Sequence, residues 1–213
     1  MTIKEIINNR NIQEVLHFTT NQGITGIIAS KVVKPKKRLD KDKYLEYIVK
    51  MNCKYRERDI DWHDYVNLSI TSVNFNLFGI SKNKWHKDMD GWWCILVFDP
   101  IILNHPGVYF ATTNNIYSSV IRDQGAKGLE RLFAEKIIRW SGNICTRSKT
   151  CSENQPTCDQ AEVLYPGELS ISYLRKIYVK EPINASAIES QFQIFDLTPV
   201  KCVIKPELFI FEG

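Results

Sequence analysis

At 213 residues, with 44% hydrophobic and 24% charged side chains, the chain has the balance of a soluble globular protein and enough length for one core. Its first residues, MTIKEIINNR, lack the apolar segment of a signal peptide, and no run approaches the ~18 apolar residues of a membrane span; the expected compartment is the cytoplasm. The net charge of +4 is uneven: residues 31–58 hold eleven Lys and Arg against four Asp and Glu, which points to a polyanionic partner or, more plainly, to a solvated basic face.

In chain order, Leu16-His17-Phe18 reads as a strand. Ile24, Ile27 and Ile28 then recur at helical spacing behind Thr19, Thr20 and Asn21, all good N-caps. Residues 34–43 are charged, contain Pro35 and read as loop; residues 44–51 read as a short helix. Alternation over 65–70 predicts a strand, and the apolar run 93–98, ended by Asp99-Pro100, predicts a buried central one. A short strand follows at 108–111. Leu129, Leu132, Phe133, Ile137 and Trp140 fall at helical spacing and form one apolar face. Residues 141–159 are a long polar loop, of a length that is often functional. Then come a strand at 161–165, a turn at Pro166-Gly167, a strand at 177–179 and a last pair of strands near 192–195 and 208–211. No repeat or linker interrupts the sequence, so one domain over 1–213 is expected. The fold class is α+β with a largely antiparallel or mixed sheet.

The six cysteines, at 53, 94, 145, 151, 158 and 202, include no pair two to four residues apart of the kind zinc sites use. Free thiols in a reducing compartment and no bound metal are expected.

Three places carry candidate chemistry: His17-Phe18-Thr19 at the end of the first strand; Arg56 and Arg58, with the strand that follows carrying Ser69, Thr71 and Ser72; and Gln160-Ala161-Glu162 after the long loop. Each has a plain structural alternative. A lone His is usually a hydrogen-bonded core residue, the arginines are surface charge, and Glu162 is a solvent-facing strand residue. His63, His86 and His105 show no partner pattern and read as structural or surface. Their order along the chain is what gives the three places weight. The segments HFTTNQGITGII (17–28), DYVNLSI (64–70), GVYFATTNN (107–115) and QAEVLYPGELSISYLRKIYV (160–179) resemble the DarT family of DNA ADP-ribosyltransferases. The Gln-x-Glu pair also resembles that of clostridial Rho-modifying exoenzymes. Ser69, Thr71 and Ser72 depart from the aromatic residues many DarT relatives carry there, and look more like the Ser-Thr-Ser strand of another toxin class.

The resemblance implies an ADP-ribosyltransferase fold with a split sheet, NAD as co-substrate and single-stranded DNA as acceptor. It further implies a toxin neutralised by a macrodomain partner; apart from the resemblance, no membrane association and a monomer are expected. On it, Glu162 is the catalytic carboxylate at the ribose 2′-hydroxyl, assisted by Arg56 or Arg58. His17, Thr19, Gly23, Ser69 and Thr71 contact NAD; Gln160, Arg147 and Lys149 face the acceptor. The chemistry agrees, since breaking the nicotinamide–ribose bond builds positive charge on the sugar, which a placed carboxylate stabilises. Trp85, Trp92 and Trp140 have rings suited to base stacking, though Trp is more often a core residue and none of the three is singled out. The alternatives are the same fold acting on a protein Asn or Arg, and a silent nucleic-acid-binding module. In the transferase reading His17, Glu162 and an arginine from 56 or 58 converge on one cleft.

Overall fold

The computed structural model describes residues 1–39, 60–88 and 91–210. The helix expected at 44–51, Arg56, Arg58 and Cys53 lie outside them. Twelve strands and six α-helices are defined within the described residues. They are α1 (Ile3–Asn9), β1 (Val15–Thr20), α2 (Asn21–Ser30), β2 (Val32–Val33), α3 (Lys36–Leu39), β3 (Tyr65–Ile70), α4 (Phe75–Ile80), β4 (Trp93–Phe98), β5 (Tyr109–Ala111) and β6 (Arg122–Gln124). After these come α5 (Gly125–Arg131), β7 (Lys136–Ile138), β8 (Ile144–Thr146), β9 (Glu162–Pro166), β10 (Leu169–Ser170), β11 (Leu174–Val179), α6 (Pro182–Ile194) and β12 (Lys201–Ile204).

Eight strands form one sheet in the order β12-β11-β4-β1-β3-β9-β5-β6. Every pairing in it is antiparallel except β11 with β12, so the sheet is mixed. All six residues of β4 are buried, as the unbroken apolar run requires of a strand covered on both faces. Alternation divides them: Cys94, Leu96 and Phe98 pack with α2 and α6 residues such as Ile24, Ile28, Ile188 and Phe192, while Trp93, Ile95 and Val97 pack with Phe78 of α4 and with Phe209. Phe78, Phe98 and Phe192 are at most 1% exposed, and burying such a ring stabilises by about 1.5–3 kcal/mol.

The sheet is split. β1 follows β4 over all six of its residues, but pairs with β3 only at Val15–Ile70 and Leu16–Ser69. Beyond Leu16 the strands part, and the His17 ring bridges the start of the gap by donating from Nδ1 to the Asn67 carbonyl at 3.0 Å. A carbonyl only accepts, so this bond places a proton on Nδ1.

Four elements differ from the sequence reading. The helix expected to run toward Trp140 stops at Arg131, and Ile137 lies in β7, which pairs with β8 inside the supposed loop 141–159. Residues 36–39, expected as loop, form α3 after Pro35. Residues 192–195, read as a strand, belong mainly to α6, whose Phe192 faces the core. Of the strand expected at 208–211, residue 211 lies outside the described residues and residues 208 and 209 belong to the 3-10 turn Pro206–Phe209; the last strand is β12 beside β11. No described helix is long and apolar enough to cross a membrane.

Candidate active site

The gap between β1 and β3 opens into a cleft of about 250 Å³. His17, Thr19, Gly23, Ser69 and Glu162 all line it, so four separate elements bring five of the residues singled out in sequence to one place. Gly23 sits in the first turn of α2, whose start is capped by the Thr20 hydroxyl accepting from the Gly23 N–H at 3.1 Å. A Cβ on Gly23 would fall 2.0 Å from Thr19 Oγ1, so glycine is what lets the Thr19 hydroxyl lie against the helix at the cleft wall.

Glu162 is the first residue of β9 and is 5% exposed. A buried carboxylate needs donors. The Asn67 amide donates to Glu162 Oε2 at 2.8 Å and the Asn115 backbone N–H donates to the same oxygen at 3.3 Å. Behind these stands a second layer. Glu162 on β9 lies opposite Ala111 on β5, and Ala111 lies opposite Arg122 on β6, a straight row across the sheet. Opposite residues share a face, and the small Ala111 leaves room along it. Arg122 donates to the side-chain and the backbone oxygen of Asn115, clamping the residue that holds Glu162. Its guanidinium also lies over the Trp62 ring, 5.1 Å from the centroid.

The remaining candidates lie elsewhere. Thr71 lies outside the cleft lining: with φ at 63° it ends β3, and its hydroxyl donates to the Asn154 carbonyl at 2.7 Å. Arg147 turns inward and organises the loop after β8, donating to the carbonyls of Gln155 and Ser152, both at 2.8 Å, and to Thr157 Oγ1 at 3.3 Å. Lys149 is exposed on that loop. Arg147→Ala should therefore lower thermal stability, by about 1–3 kcal/mol, by releasing the 147–157 segment; a thermal melt with NAD absent measures it. An unchanged melting temperature would show that these bonds do not hold the loop.

Gln160 precedes β9, so the period-two alternation that would set it on the face of Glu162 does not reach it. It lies beside the Tyr117 phenol, whose pKa burial raises, and its Oε1 is buried without a hydrogen-bond partner. Among the described residues no group of three or more His, Cys, Asp or Glu gathers to hold a metal. Cys94, Cys145, Cys151, Cys158 and Cys202 are free thiols. Burial pushes the Cys94 and Cys158 thiols up and raises Cys202 to about 11, so these three stay protonated at neutral pH.

Residues 16–210 match the family model described as "ssDNA thymidine ADP-ribosyltransferase, DarT". The chain belongs to the DarT family. DarT enzymes use NAD to ADP-ribosylate single-stranded DNA, and a buried carboxylate in a split sheet suits that chemistry. The fold agrees with solved relatives. Thermus sp. 2.9 DarT in complex with carba-NAD+ superposes with a TM-score of 0.63 at 13% identity, covering 92% of this chain and 97% of that one. The same protein in complex with ADP-ribosylated ssDNA gives 0.61 at 11% identity, covering 93% and 96%. Thermosipho africanus DarTG in complex with ADP-ribose gives 0.57 at 13% identity, covering 92% of this chain and 51% of that one. No curated protein sequence matches the chain.

Asn67, Asn115 and Arg122 had no place in the sequence reading. Asn67 sits inside the DYVNLSI segment and Asn115 ends GVYFATTNN, so both lay within segments that carried the resemblance. Arg122 offered no signal, because only strand register brings it to Asn115.

Proposed function

We propose that this DarT protein transfers ADP-ribose to thymidine in single-stranded DNA, with Glu162 as the catalytic carboxylate and His17 holding a ribose hydroxyl of NAD. The observation that carries the reading is Glu162 itself, buried yet oriented by two donors, in the same cleft as His17. In the reaction the bond from ribose C1 to the nicotinamide nitrogen breaks with its electron pair passing to that nitrogen. A nitrogen of the acceptor base attacks C1 and its proton passes to solvent. In thymidine the only ring N–H is the imide between two carbonyls. Gln160, with an unpaired Oε1 near the mouth of β9, has the amide chemistry to meet such an edge. Single-stranded acceptor follows from access, since that imide is paired and stacked in duplex. Arg56 or Arg58 keeps the assisting role that the resemblance implies, and Ser69 a contact to NAD. The family likeness also supports a toxin role, with a macrodomain antitoxin as partner.

Incubation with labelled NAD and short oligonucleotides tests the reading. Label should reach thymidine-containing single strands and spare both thymidine-free strands and duplex. Label confined to proteins of an extract added in parallel would replace DNA by a protein side chain as acceptor.

A further inference from the structure

The cleft has two arms of different chemistry. The arm between α2 and β2 has small residues, Gly23, Gly26 and Ser30, and carries Lys34 and Lys36. The arm against α4 has aromatic walls, Phe18, Trp85 and Trp93, with Asn74 and His86 set among them. Asn74 is 3% exposed; its Oδ1 caps α4 by accepting from the Leu77 N–H at 3.0 Å, which fixes Nδ2 as the other atom, and Nδ2 has no hydrogen-bond partner. His86 follows the π-helical turn Ser81–Trp85, is 5% exposed and meets the Trp93 ring edge-on at 5.4 Å, and its Nε2 is likewise without a partner. Buried polar atoms are rarely left unpaired, and two in one apolar arm point to a ligand that completes them.

We propose that Asn74 and His86 bind the carboxamide of the nicotinamide ring of NAD, leaving the lysine arm to the ADP half. The inference rests on the transferase reading and adds which end of the co-substrate each arm takes. The pyrophosphate is anionic and goes to Lys34 and Lys36. The nicotinamide ring of NAD is a flat cation, which aromatic walls favour. Burial lowers the pKa of His86, so a neutral imidazole faces the ring and adds no repelling charge. Asn74 Nδ2 donates to the carboxamide oxygen; the carboxamide NH₂ and His86 Nε2 satisfy each other. Along β3, Ser69 and Asn67 share one face and lead from this arm to Glu162, which Asn67 holds. A ring seated against α4 thus sets the bond to be broken beside the carboxylate.

Asn74→Ser is the discriminating variant. Serine keeps the helix cap but is too short to present the second donor. NAD KM and the concentration of free nicotinamide needed to inhibit NAD cleavage should both rise about five- to tenfold, and the ADP-ribose Kd should stay within about twofold. His86→Phe preserves the ring against Trp93, removes Nε2 and should shift the same two quantities in the same direction. Wild-type nicotinamide inhibition in both variants would overturn the assignment while leaving the transferase reading intact, as would ADP-ribose binding weakened as much as NAD. A wild-type protein that cleaves no NAD would overturn both.

Discussion

Glu162→Gln should lower ADP-ribose transfer to single-stranded DNA by more than about a hundredfold, or ~3 kcal/mol of transition-state stabilisation. NAD affinity should change by only about 0.5–1.5 kcal/mol, since in the ground state the side chain supplies one hydrogen bond among many. The asymmetry comes from charge. The ribose is neutral when NAD binds and cationic as nicotinamide leaves, and a carboxylate 5% exposed acts on that cation with little screening by water. Glutamine preserves size and keeps an oxygen to accept from Asn67 and Asn115, so the melting temperature should hold. Alanine is the poorer test, because it also orphans two buried donors. Single-turnover transfer, with NAD affinity measured separately, checks the result. Transfer near the wild-type rate would remove Glu162 from the chemistry.

The strands were legible where one short run decides the element. At 65–70 and 93–98 the sequence reading and the structure coincide, because alternation and an unbroken apolar run each have one cheap solution in a sheet. The helix read through Trp140 failed because its apolar residues serve two elements. Leu129, in α5, and Ile137, in β7, are both buried, and a short turn between them mimics a continued helical period. Trp140, counted on the buried face, is 58% exposed at the tip of the β7–β8 connection. Residues 192–195 read as a strand in sequence, though Pro182 and the residues around Ile188 suit a helix start and a core-facing helical face.

The site divides in the same way. His17, Gly23, Ser69 and Glu162 each sit in a segment that carries the family resemblance, and the fold brings these four to one cleft. Composition marks Arg147 and Thr71 as polar without saying where their donors go; in both, the structure sends them to a loop carbonyl. Asn74 and His86 gave no sign in sequence. Their significance lies in what they lack once folded, and an unpaired buried atom is a property of packing alone.

Arg122→Lys should reduce kcat about ten- to a hundredfold while leaving NAD KM within about twofold, although Arg122 is here a positioning residue and acts through Asn115. The wild-type guanidinium donates in two directions at once, to the side-chain and to the backbone oxygen of Asn115. Lysine keeps the charge, but its three donors radiate from one flexible nitrogen without the planar fork that holds both oxygens in fixed geometry. The Asn115 N–H would then lose its aim at Glu162 Oε2, where it already sits at the longer of the two donor distances, 3.3 against 2.8 Å. A carboxylate free to swing misplaces its charge relative to the ribose, and displacement on the order of 1 Å is enough for a loss of this size. Substrate binding draws on the rest of the cleft and should be spared. The two predictions are coupled. In a Glu162→Gln background the charge is already gone, so Arg122→Lys should add little further loss; the double variant should transfer at nearly the rate of Glu162→Gln alone. A purely structural role for Arg122 would instead give additive losses in the double variant, together with a lowered melting temperature.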